Sequence, residues 1–537
     1  EIAPDEAAKL EPAKFTELAH KKAIAAYDLR ESEYPVLAGL YRFSARGSTG
    51  ERQGLLREDL IEWAKRRFDA EISTDDLKNK QREEIHTLLK DRFGLTLSTG
   101  EISRLSRLFL AYLEWLHKAR TGVLRSALEA DGGWPLHIDA TGEGGRGTLL
   151  VALAGWRGWV LGAWKIPTEN AEAILPHLHT VVERFGPPCA IMRDLGTATS
   201  KAAAGLVEAC QLDIPILACH AHFLTDVGTD LLDPTHTQLR VLFRQFGVRP
   251  QLRTLARDLG RRIGDDIEQA RLDLVAWQQA EDQGHIVPEG RAGLATVRAL
   301  AQWVLDYMAD GSGQGFPFDR PYLDLYNRCG QASRAVDAFL SHPPHDDVVL
   351  HALHHLQAAL TPMVHDAAAA HAARTHGRRA GLFDELRTAV RLAPKPAKGD
   401  AQGSSHKDIV ELRNVHEAVD NLFDSLRQRR PERGPAQDQR QAIDIVLRHL
   451  EVHGDHLWGH DVTIAGAHGE IIRLVERTNN ILESFFHGMK HGERRRSGRK
   501  ILTKDFEDLP AAAALARNLD HPDYVALLCG TLDHLPH

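Results

Sequence analysis

The sequence predicts a multidomain protein of the α/β plus α class. Its 537 residues exceed one compact core and correspond to three or four domains at about 100–200 residues each. Short apolar strands alternate with helices over residues 135–233, which indicates a mixed sheet. From about Asp233 to about Gly469 the strand pattern disappears and the spacing of apolar residues is helical. We therefore expect a mixed sheet joined to a separate, all-helical part.

Composition and charge exclude several classes of protein. With 43% hydrophobic and 26% charged residues, the chain is an ordinary globular protein rather than a disordered or fibrous one. No run of about 18 apolar residues predicts a membrane span, and the first segment does not have the pattern of a secretory signal. Five cysteines without a CxxC pair favour a reducing compartment. The net charge of -8 taken alone argues against a nucleic-acid protein.

A helix-turn-helix is one interpretation of the region before the sheet. A helix over 82–94 ends at a glycine, and Ser98 with Glu101 forms a capping box that opens a second helix. Arg104 and Arg107 would then lie near the start of that second helix, where a recognition helix meets the major groove. The alternative is an αα-hairpin that packs on a neighbouring element, and the pattern alone leaves both open.

Two predicted strands end in aspartate. PLHIDAT (135–141) carries Asp139 and CAIMRD (189–194) ends at Asp194. At pH 7 both carboxylates would be ionised, so they would repel each other at close range unless a divalent cation lay between them. The alternative is that both are turn or cap residues.

Cys219 and His222 lie at the end of the next predicted strand, within the segment IPILACHAHF (214–223) that runs into a helix, and are separated by two residues. Zinc would require more ligands than this pair, and no oxyanion signature accompanies the cysteine. A buried cysteine beside histidines that bond to the backbone is the alternative.

Glu483 lies in the predicted helix RTNNILESFF. Asn479 and Asn480 precede it by four and three positions, so the three residues would share one helical face. Two consecutive asparagines are unfavourable inside a helix without a cap or a polar partner. Thr478 could cap the helix, and Glu476 on the same face is the rival acid.

A basic segment follows, with six basic residues and one acid over 490–500. It is either a solvated helix end or a contact to the phosphate backbone. The basic residues are Lys490, Arg494, Arg495, Arg496, Arg499 and Lys500. The tail from Asp505 onward holds six acids and one arginine, so the mean charge of the chain is a poor guide to its local charge.

Taken together, these segments resemble the DDE transposases of prokaryotic insertion sequences, which have an RNase H-like fold. The Cys219-x-x-His222 element is similar to the one that Mutator-like and hAT-like transposases carry after the second aspartate. Those families also place a large all-helical insertion before the catalytic glutamate, as the 288 residues between Asp194 and Glu483 would allow. The matching segments are HIDATGEGG, IMRDLG, CHAHFLTDVGTDLL and RTNNILESFFHGMKHGERRRSGR.

The resemblance implies that Asp139, Asp194 and Glu483 are the catalytic residues and hold two Mg²⁺ or Mn²⁺ ions about 3.5–4 Å apart. Water would first free a 3′-OH at the transposon end, and that 3′-OH would then attack target DNA. Cys219, His222, Asn479 and Asn480 would support the site, and the basic residues named above, with Arg104 and Arg107, would bind DNA.

The implied organisation has five segments. They are an N-terminal segment (1–45), a helix-turn-helix DNA-binding domain (46–130), the first part of an RNase H-like core (131–235), an all-helical insertion (236–470), and the second part of the core with a helical tail (471–537). We expect double-stranded DNA and a second copy of the chain as partners, and a cytoplasmic, nucleoid-associated location in a bacterium. The competing interpretations are a domesticated DNA-binding regulator without strand transfer and a structure-selective, metal-dependent nuclease.

Overall fold

The structure is a computed structural model. It describes residues 87, 98–143, 146–264, 272, 286–309, 311–391, 406–434, 436–466 and 469–531. Apart from Thr87, the first helix of the predicted helix-turn-helix lies outside the described residues. The Pro-, Gly- and Ser-containing composition of 393–408 also predicts a flexible linker. Its residues 393–405 lie outside the described residues, while 406–408 begin a helix.

The chain divides into two compact units. Of the described residues, those within 1–219, 401–409 and 456–537 form the first unit, and those within 220–400 and 410–455 form the second. The five segment boundaries expected from the sequence remain predictions.

The elements in chain order are α1 (Thr99–Ala119), α2 (Thr121–Ala130), β1 (Pro135–Glu143), β2 (Arg146–Ala154), β3 (Trp159–Lys165), α3 (Ala171–Phe185), β4 (Ala190–Arg193), α4 (Thr197–Cys210), β5 (Ile216–Ala218), α5 (His220–Gln245), α6 (Val248–Ile263), α7 (Gly290–Leu305), α8 (Pro321–Ser341), α9 (Asp347–Val364), α10 (Ala367–Val390), α11 (His406–Arg429), α12 (Gln437–His453), β6 (Asp461–Gly466), β7 (Gly469–Leu474), α13 (Asn480–Ser497), α14 (Thr503–Asp508) and α15 (Pro522–Cys529).

The first unit is built on a five-stranded mixed sheet with the order β3-β2-β1-β4-β5. The strands β1, β2 and β3 pair antiparallel, as a meander, whereas β1–β4 and β4–β5 pair parallel. The predicted mixed sheet with interleaved helices is confirmed. Because parallel strands require crossover connections, α3 and α4 lie between β3 and β5 in the chain.

The helix α3 illustrates how the sequence positions these crossovers. The side chain of Asn170 caps it by accepting a hydrogen bond from the Ala173 backbone N–H at 2.8 Å. Its buried face repeats at helical spacing, and Gly186 ends it with φ of 83°, a conformation in which glycine has no steric cost. The buried face consists of Ile174, Leu178, Val181 and Phe185.

The described part of the second unit is helical, and its core is formed by the apolar faces of α5 to α10. The helix α5 begins at His220, directly after β5. For the residues that the structure describes, the prediction of a long helical stretch after the sheet is confirmed as far as His453, the end of α12.

The prediction that helices extend to about Gly469 is wrong. Residues Asp461–Gly466 form β6, which pairs antiparallel with β7, with Gly466 opposite Gly469. The alternation of Val462 and Ile464 is too short to stand out against neighbouring helices, and it is cross-strand pairing that stabilises the ribbon. No helix in the described part of the chain is long and apolar enough to cross a membrane.

The helix α1 begins one residue after Ser98, as the capping-box pattern predicted. Its second half is part of the core of the first unit, through Phe109, Tyr112, Leu113 and Leu116. This half therefore packs on neighbouring elements, as the αα-hairpin interpretation requires, while the DNA-binding role of its first half remains a prediction.

Candidate active site

The site lies where the parallel pairing of β1, β4 and β5 ends. The pairing of His137 with Met192 on β1 and β4, continued by two residues, puts Asp139 level with Asp194. Neighbouring strands lie about 4.8 Å apart, so this register puts the backbones of two residues that are 55 positions apart in the sequence next to each other.

The third parallel strand extends this row of residues to Cys219. Arg193 of β4 pairs with Ala218 of β5, so the next position puts Asp194 level with Cys219. The backbone N–H of Cys219 donates to the Arg193 carbonyl at 2.9 Å, so the ladder continues past the end of β5. Asp139 of β1, Asp194 directly after β4 and Cys219 directly after β5 therefore occupy corresponding positions when the register is continued past the strand ends.

The carboxylate of Asp194 is held by the turn that follows β4. The hydroxyl of Thr199, in the first turn of α4, donates to its Oδ1. A Cβ at Gly196 would lie 3.0 Å from its Oδ2, so the turn passes close to the carboxylate. The buried Arg193 donates from its guanidinium to the Asp194 carbonyl at 2.7 Å. Asp194 thus combines a fixed orientation with partial exposure.

A fourth carboxylate that sequence reasoning missed lies near Asp194. Partial desolvation and, as the second cause, the negative charge of Asp194 raise the pKa of Glu169 above its usual value. Two carboxylates that repel each other in this way form an environment that a cation would relieve. Glu169 directly precedes the cap residue of α3, and no strand-end signal marks it in the sequence.

Asn479 connects the strands to the helix that carries Glu483. Its side chain is fully buried, and its Nδ2 donates to the Ile138 carbonyl at 3.1 Å. Its backbone N–H donates to Cys219 Sγ at 3.2 Å. Its own carbonyl accepts the Glu483 backbone N–H at 3.1 Å. One residue therefore contacts β1 beside Asp139, the end of β5, and the first turn of α13.

His137, which the sequence analysis did not select, completes this connection. Its Nδ1 lies 3.0 Å from Asn479 Oδ1. Because the amide of Asn479 donates to Ile138, its oxygen faces the ring, so His137 Nδ1 carries the proton. Burial lowers the pKa of His137 to about 4, against a smaller opposing effect of this hydrogen bond, so the ring is neutral at pH 7.

The ring of His137 fits because position 155 is glycine. A Cβ at Gly155 would lie 2.4 Å from His137 Nε2. Among the described residues this Nε2 has no hydrogen-bond partner. The imidazole therefore acts through its Nδ1 side, toward Asn479, and His137 lies two residues before Asp139 on the same strand, which places both side chains on one face of β1.

Glu483 is exposed in the first turn of α13. The helix packs into the core of the first unit through Leu482, Phe485 and Phe486, which leaves Glu483 on its other side. A carboxylate oxygen of Glu483 and the Sγ of Cys219 lie within 4.8 Å of each other. Asp139, Asp194 and Glu483 do not form a group of three ligand atoms at that spacing among the described residues.

The expectation that Glu476 shares a helical face with Glu483 is wrong. The helix begins at Asn480, and Glu476 is exposed in the segment between β7 and α13. Asn479, rather than Thr478, is the cap residue, and its side chain makes no capping hydrogen bond because it is directed to β1. The tertiary contacts of Asn479 set the helix start.

His222 lies in the first turn of α5, three residues after Cys219. Spacing of three in a helix puts residues on one side of it. The part that His222 plays in the site remains a prediction.

The basic segment makes contacts of its own. Lys490 Nζ donates to the Gly142 carbonyl at 2.9 Å and lies 3.7 Å from the Glu143 carboxylate. Arg494 lies 3.3 Å from the same carboxylate, and Arg499 pairs with Asp505 at 3.2 Å. Lys500 is exposed. The side chains of Arg495 and Arg496 lie outside the description, so the DNA-binding role of the segment remains a prediction.

Arg104 and Arg107 lie on the first half of α1. Arg104 is partly exposed and Arg107 is exposed. Three positions apart on a helix, they are neighbours on one side of it. Their contact with base edges remains a prediction.

Comparisons with known proteins give one remote similarity. No protein-family model and no curated protein matches the chain. A solved structure described as the Drosophila P element transposase strand transfer complex is similar with a TM-score of 0.31 and 12% identity, over 88% of this chain and 99% of that chain. A similarity at this TM-score does not establish a shared fold or a family.

Proposed function

We propose that the chain is a DNA transposase that hydrolyses phosphodiester bonds at transposon ends and joins the freed 3′-OH ends to target DNA. One observation carries the proposal. Asp139 lies on β1 and Asp194 directly follows β4, which pairs parallel with β1, and Asn479 anchors the helix of Glu483 to the strand of Asp139. Three acids that are remote in sequence are thus carried by β1, by the residue after β4 and by a helix bonded to β1.

The strand order supports an RNase H-like core. Three antiparallel strands followed by two parallel ones, in the order β3-β2-β1-β4-β5, match the core that the motif resemblance implies. The helical second unit lies between Cys219 and the segment that carries Glu483 in the chain, as an insertion in such a core would.

The chemistry of the acids fits a hard divalent cation. Carboxylate oxygens are ligands that Mg²⁺ and Mn²⁺ prefer. Desolvation and, as the second cause, the negative charge of Asp194 raise the pKa of Glu169, and a cation bound nearby would lower it. Asp139, Asp194 and Glu483 would hold the ions. When bound, two such ions would stabilise the charge of the attacking and leaving oxygens in an in-line displacement.

The other residues of the site position these acids. Thr199 orients Asp194 through its hydroxyl. His137 and Asn479 keep the first turn of α13 against β1. Cys219 accepts the backbone N–H of Asn479, which gives the thiol a structural role. No Ser or Tyr nucleophile is required, because water and then the 3′-OH attack directly.

The partner is double-stranded DNA, and we propose a homodimer, since two ends must be brought together. Lys490, Arg494, Arg495, Arg496, Arg499 and Lys500 would contact phosphates, and Arg104 and Arg107 would contact the end sequence. Arginine suits phosphate because its planar group can donate two parallel hydrogen bonds.

The test is a strand-joining assay with the full chain, Mg²⁺, a target plasmid and duplexes from the repeats that flank its gene. We expect joined product from the wild type and none from Asp194→Asn, which should still bind the duplex. The matched control is Asp213→Asn, an exposed aspartate of the same unit, which should join normally. Binding without cleavage by the wild type would indicate a regulator, and cleavage without joining would indicate a nuclease.

A further inference from the structure

The strongest basic cluster that the proposed active site does not use lies in the second unit. Residues 240–262 contain seven arginines and one acid, Asp258, in a chain whose net charge is -8. They cover the end of α5 and nearly all of α6. We call these seven the arginine row; they are Arg240, Arg244, Arg249, Arg253, Arg257, Arg261 and Arg262.

The arginine row is directed outward by the packing of the two helices. The apolar residues between the arginines are buried in the core of the second unit, among them Leu239, Phe243, Leu252 and Leu259. Within each helix the successive arginines are four positions apart, apart from the adjacent final pair, so they lie along one side. Six of the seven are exposed and Arg249, which stacks on Tyr307, is half-buried.

The arginine row has few acidic partners. Its one ion pair among the described residues is Arg261 with Asp258, at 3.6 Å and with both side chains more than half exposed. Elsewhere in the same unit seven arginines are each paired with an acid at 3.1 Å or less. Those pairs are Arg320–Asp384, Arg379–Asp438, Arg391–Glu411, Arg427–Glu451, Arg429–Glu385, Arg430–Asp444 and Arg448–Asp230. Six of the seven arginines of the row have no such ion pair among the described residues.

We propose that the arginine row is a second DNA-binding surface, which holds the phosphate backbone of a duplex independently of its base sequence. This inference rests on the proposed action on DNA. At 1.5 Å per residue, Arg249 to Arg261 spans about 18 Å. One strand of a duplex presents a phosphate about every 3.4 Å of helix axis, so a row of this length could contact about five consecutive phosphates.

The chemistry of the arginine side chains indicates that the partner of this surface is DNA. Each arginine can donate two hydrogen bonds to a phosphate, and a row of exposed cations at regular spacing suits a uniform polyanion. The competing occupant is residues 265–282 of the same chain, which contain six acids and one arginine. If this segment neutralised the row, removing arginines would not change DNA binding.

The test measures binding of the full chain to a 30-base-pair duplex of unrelated sequence as a function of salt. The plot of log K against log salt has a negative slope. Arg253→Gln/Arg257→Gln should make this slope less steep by about two units, one for each lost phosphate contact. The matched control is Arg427→Gln/Arg448→Gln, which removes two exposed but paired arginines of the same unit and should leave the slope unchanged.

An unchanged slope for Arg253→Gln/Arg257→Gln, with an unchanged melting temperature, would overturn the inference. So would an equal decrease in the control variant, because the effect would then be one of net charge. The outcome is separable from the proposed function. If the wild type never joins DNA ends but the slope decreases as expected, the transposase proposal fails and the surface stands.

Discussion

The Nδ1 atom of His137 and the Oδ1 atom of Asn479 are 3.0 Å apart, which joins the strand of Asp139 to the helix of Glu483. Both side chains are buried, and the same amide donates to the Ile138 carbonyl. Neither residue has to touch substrate for this contact to matter. A displacement of about 1 Å at a catalytic group can lower a rate about 100-fold, so we consider both to be positioning residues.

Asn479→Leu should therefore lower both stability and activity. It leaves His137 Nδ1 and the Ile138 carbonyl without their partner, at a cost of about 1–3 kcal/mol. We expect strand joining to fall about 100-fold with the affinity for DNA unchanged.

The matched control for that variant is Asn518→Leu. Asn518 is equally buried, and it bonds both backbone groups of Val160 at 2.7 and 2.8 Å. Its variant should lose similar free energy of unfolding in urea but retain joining at 25 °C. If both variants lose joining equally, Asn479 has no role beyond stability.

Acidification should destabilise the fold through His137. In the unfolded chain histidine has a pKa of about 6.5, whereas burial lowers the pKa of His137 to about 4. Between these values the unfolded state binds a proton that the folded state does not, so stability falls as pH decreases from about 6.5 to 4. At pH 5 the contribution is about 2 kcal/mol.

His137→Phe should remove this contribution. Between pH 7 and pH 5 the free energy of unfolding should decrease in both proteins. We expect the decrease to be about 2 kcal/mol smaller in the variant than in the wild type. His117, whose pKa burial also lowers to about 4, provides the comparison, since His117→Phe should flatten the same dependence. Joining at pH 7 should fall in the His137 variant and persist in the His117 variant. The reverse pattern would remove His137 from the site.

Glu483→Gln should abolish joining, and Glu476→Gln should not. Glu483 lies in the first turn of α13, beside Cys219, whereas Glu476 lies outside the helix. We expect at least a 100-fold loss for the first variant and less than a threefold change for the second, measured at saturating DNA. If the Glu476→Gln protein unfolds normally but is inactive, the third acid is Glu476 and not Glu483.

Glu143→Gln should strengthen DNA binding. The Glu143 carboxylate lies 3.7 Å from Lys490 and 3.3 Å from Arg494, so its removal leaves two cations for phosphates. We expect a steeper salt dependence, by about one to two units of slope. Glu411→Gln removes the same charge beside Arg391 and should have no such effect. Equal behaviour of the two variants would mean that Lys490 and Arg494 do not contact DNA.

Local pattern was sufficient to predict both strands and to predict that β4 ends just before Asp194. The prediction that the other strand ends at Asp139 is wrong, because β1 continues to Glu143. Asp139 and Asp194 follow short apolar runs, and such runs mark buried strands without knowledge of their partners. The level of Asp139, Asp194 and Cys219 was not predictable, because register between parallel strands depends on contacts between distant segments. The same reason explains Glu169 and His137, which become neighbours of the acids only through folding.

The starts of two helices show the same contrast between what local sequence predicts and what depends on distant contacts. The start of α1 after Ser98 follows from a local capping pattern. The start of α13 was expected earlier, with Glu476 on the helix, because a buried Asn479 bound to β1 leaves no local signal. The arginine row was readable in the sequence as arginines four positions apart, but a net charge of -8 averages it away.

The central claim is that Asp194 contacts a metal ion during strand joining, and Asp194→Cys tests it most directly. Mg²⁺ prefers hard oxygen ligands and binds thiolate poorly, whereas Mn²⁺ accepts thiolate better. We predict that the rate of joining by this variant falls at least 100-fold in Mg²⁺ and rises at least tenfold when Mn²⁺ replaces it, with wild-type rates similar in both. A variant that joins at the wild-type rate in Mg²⁺, or a wild type that joins without any divalent cation, would contradict the account.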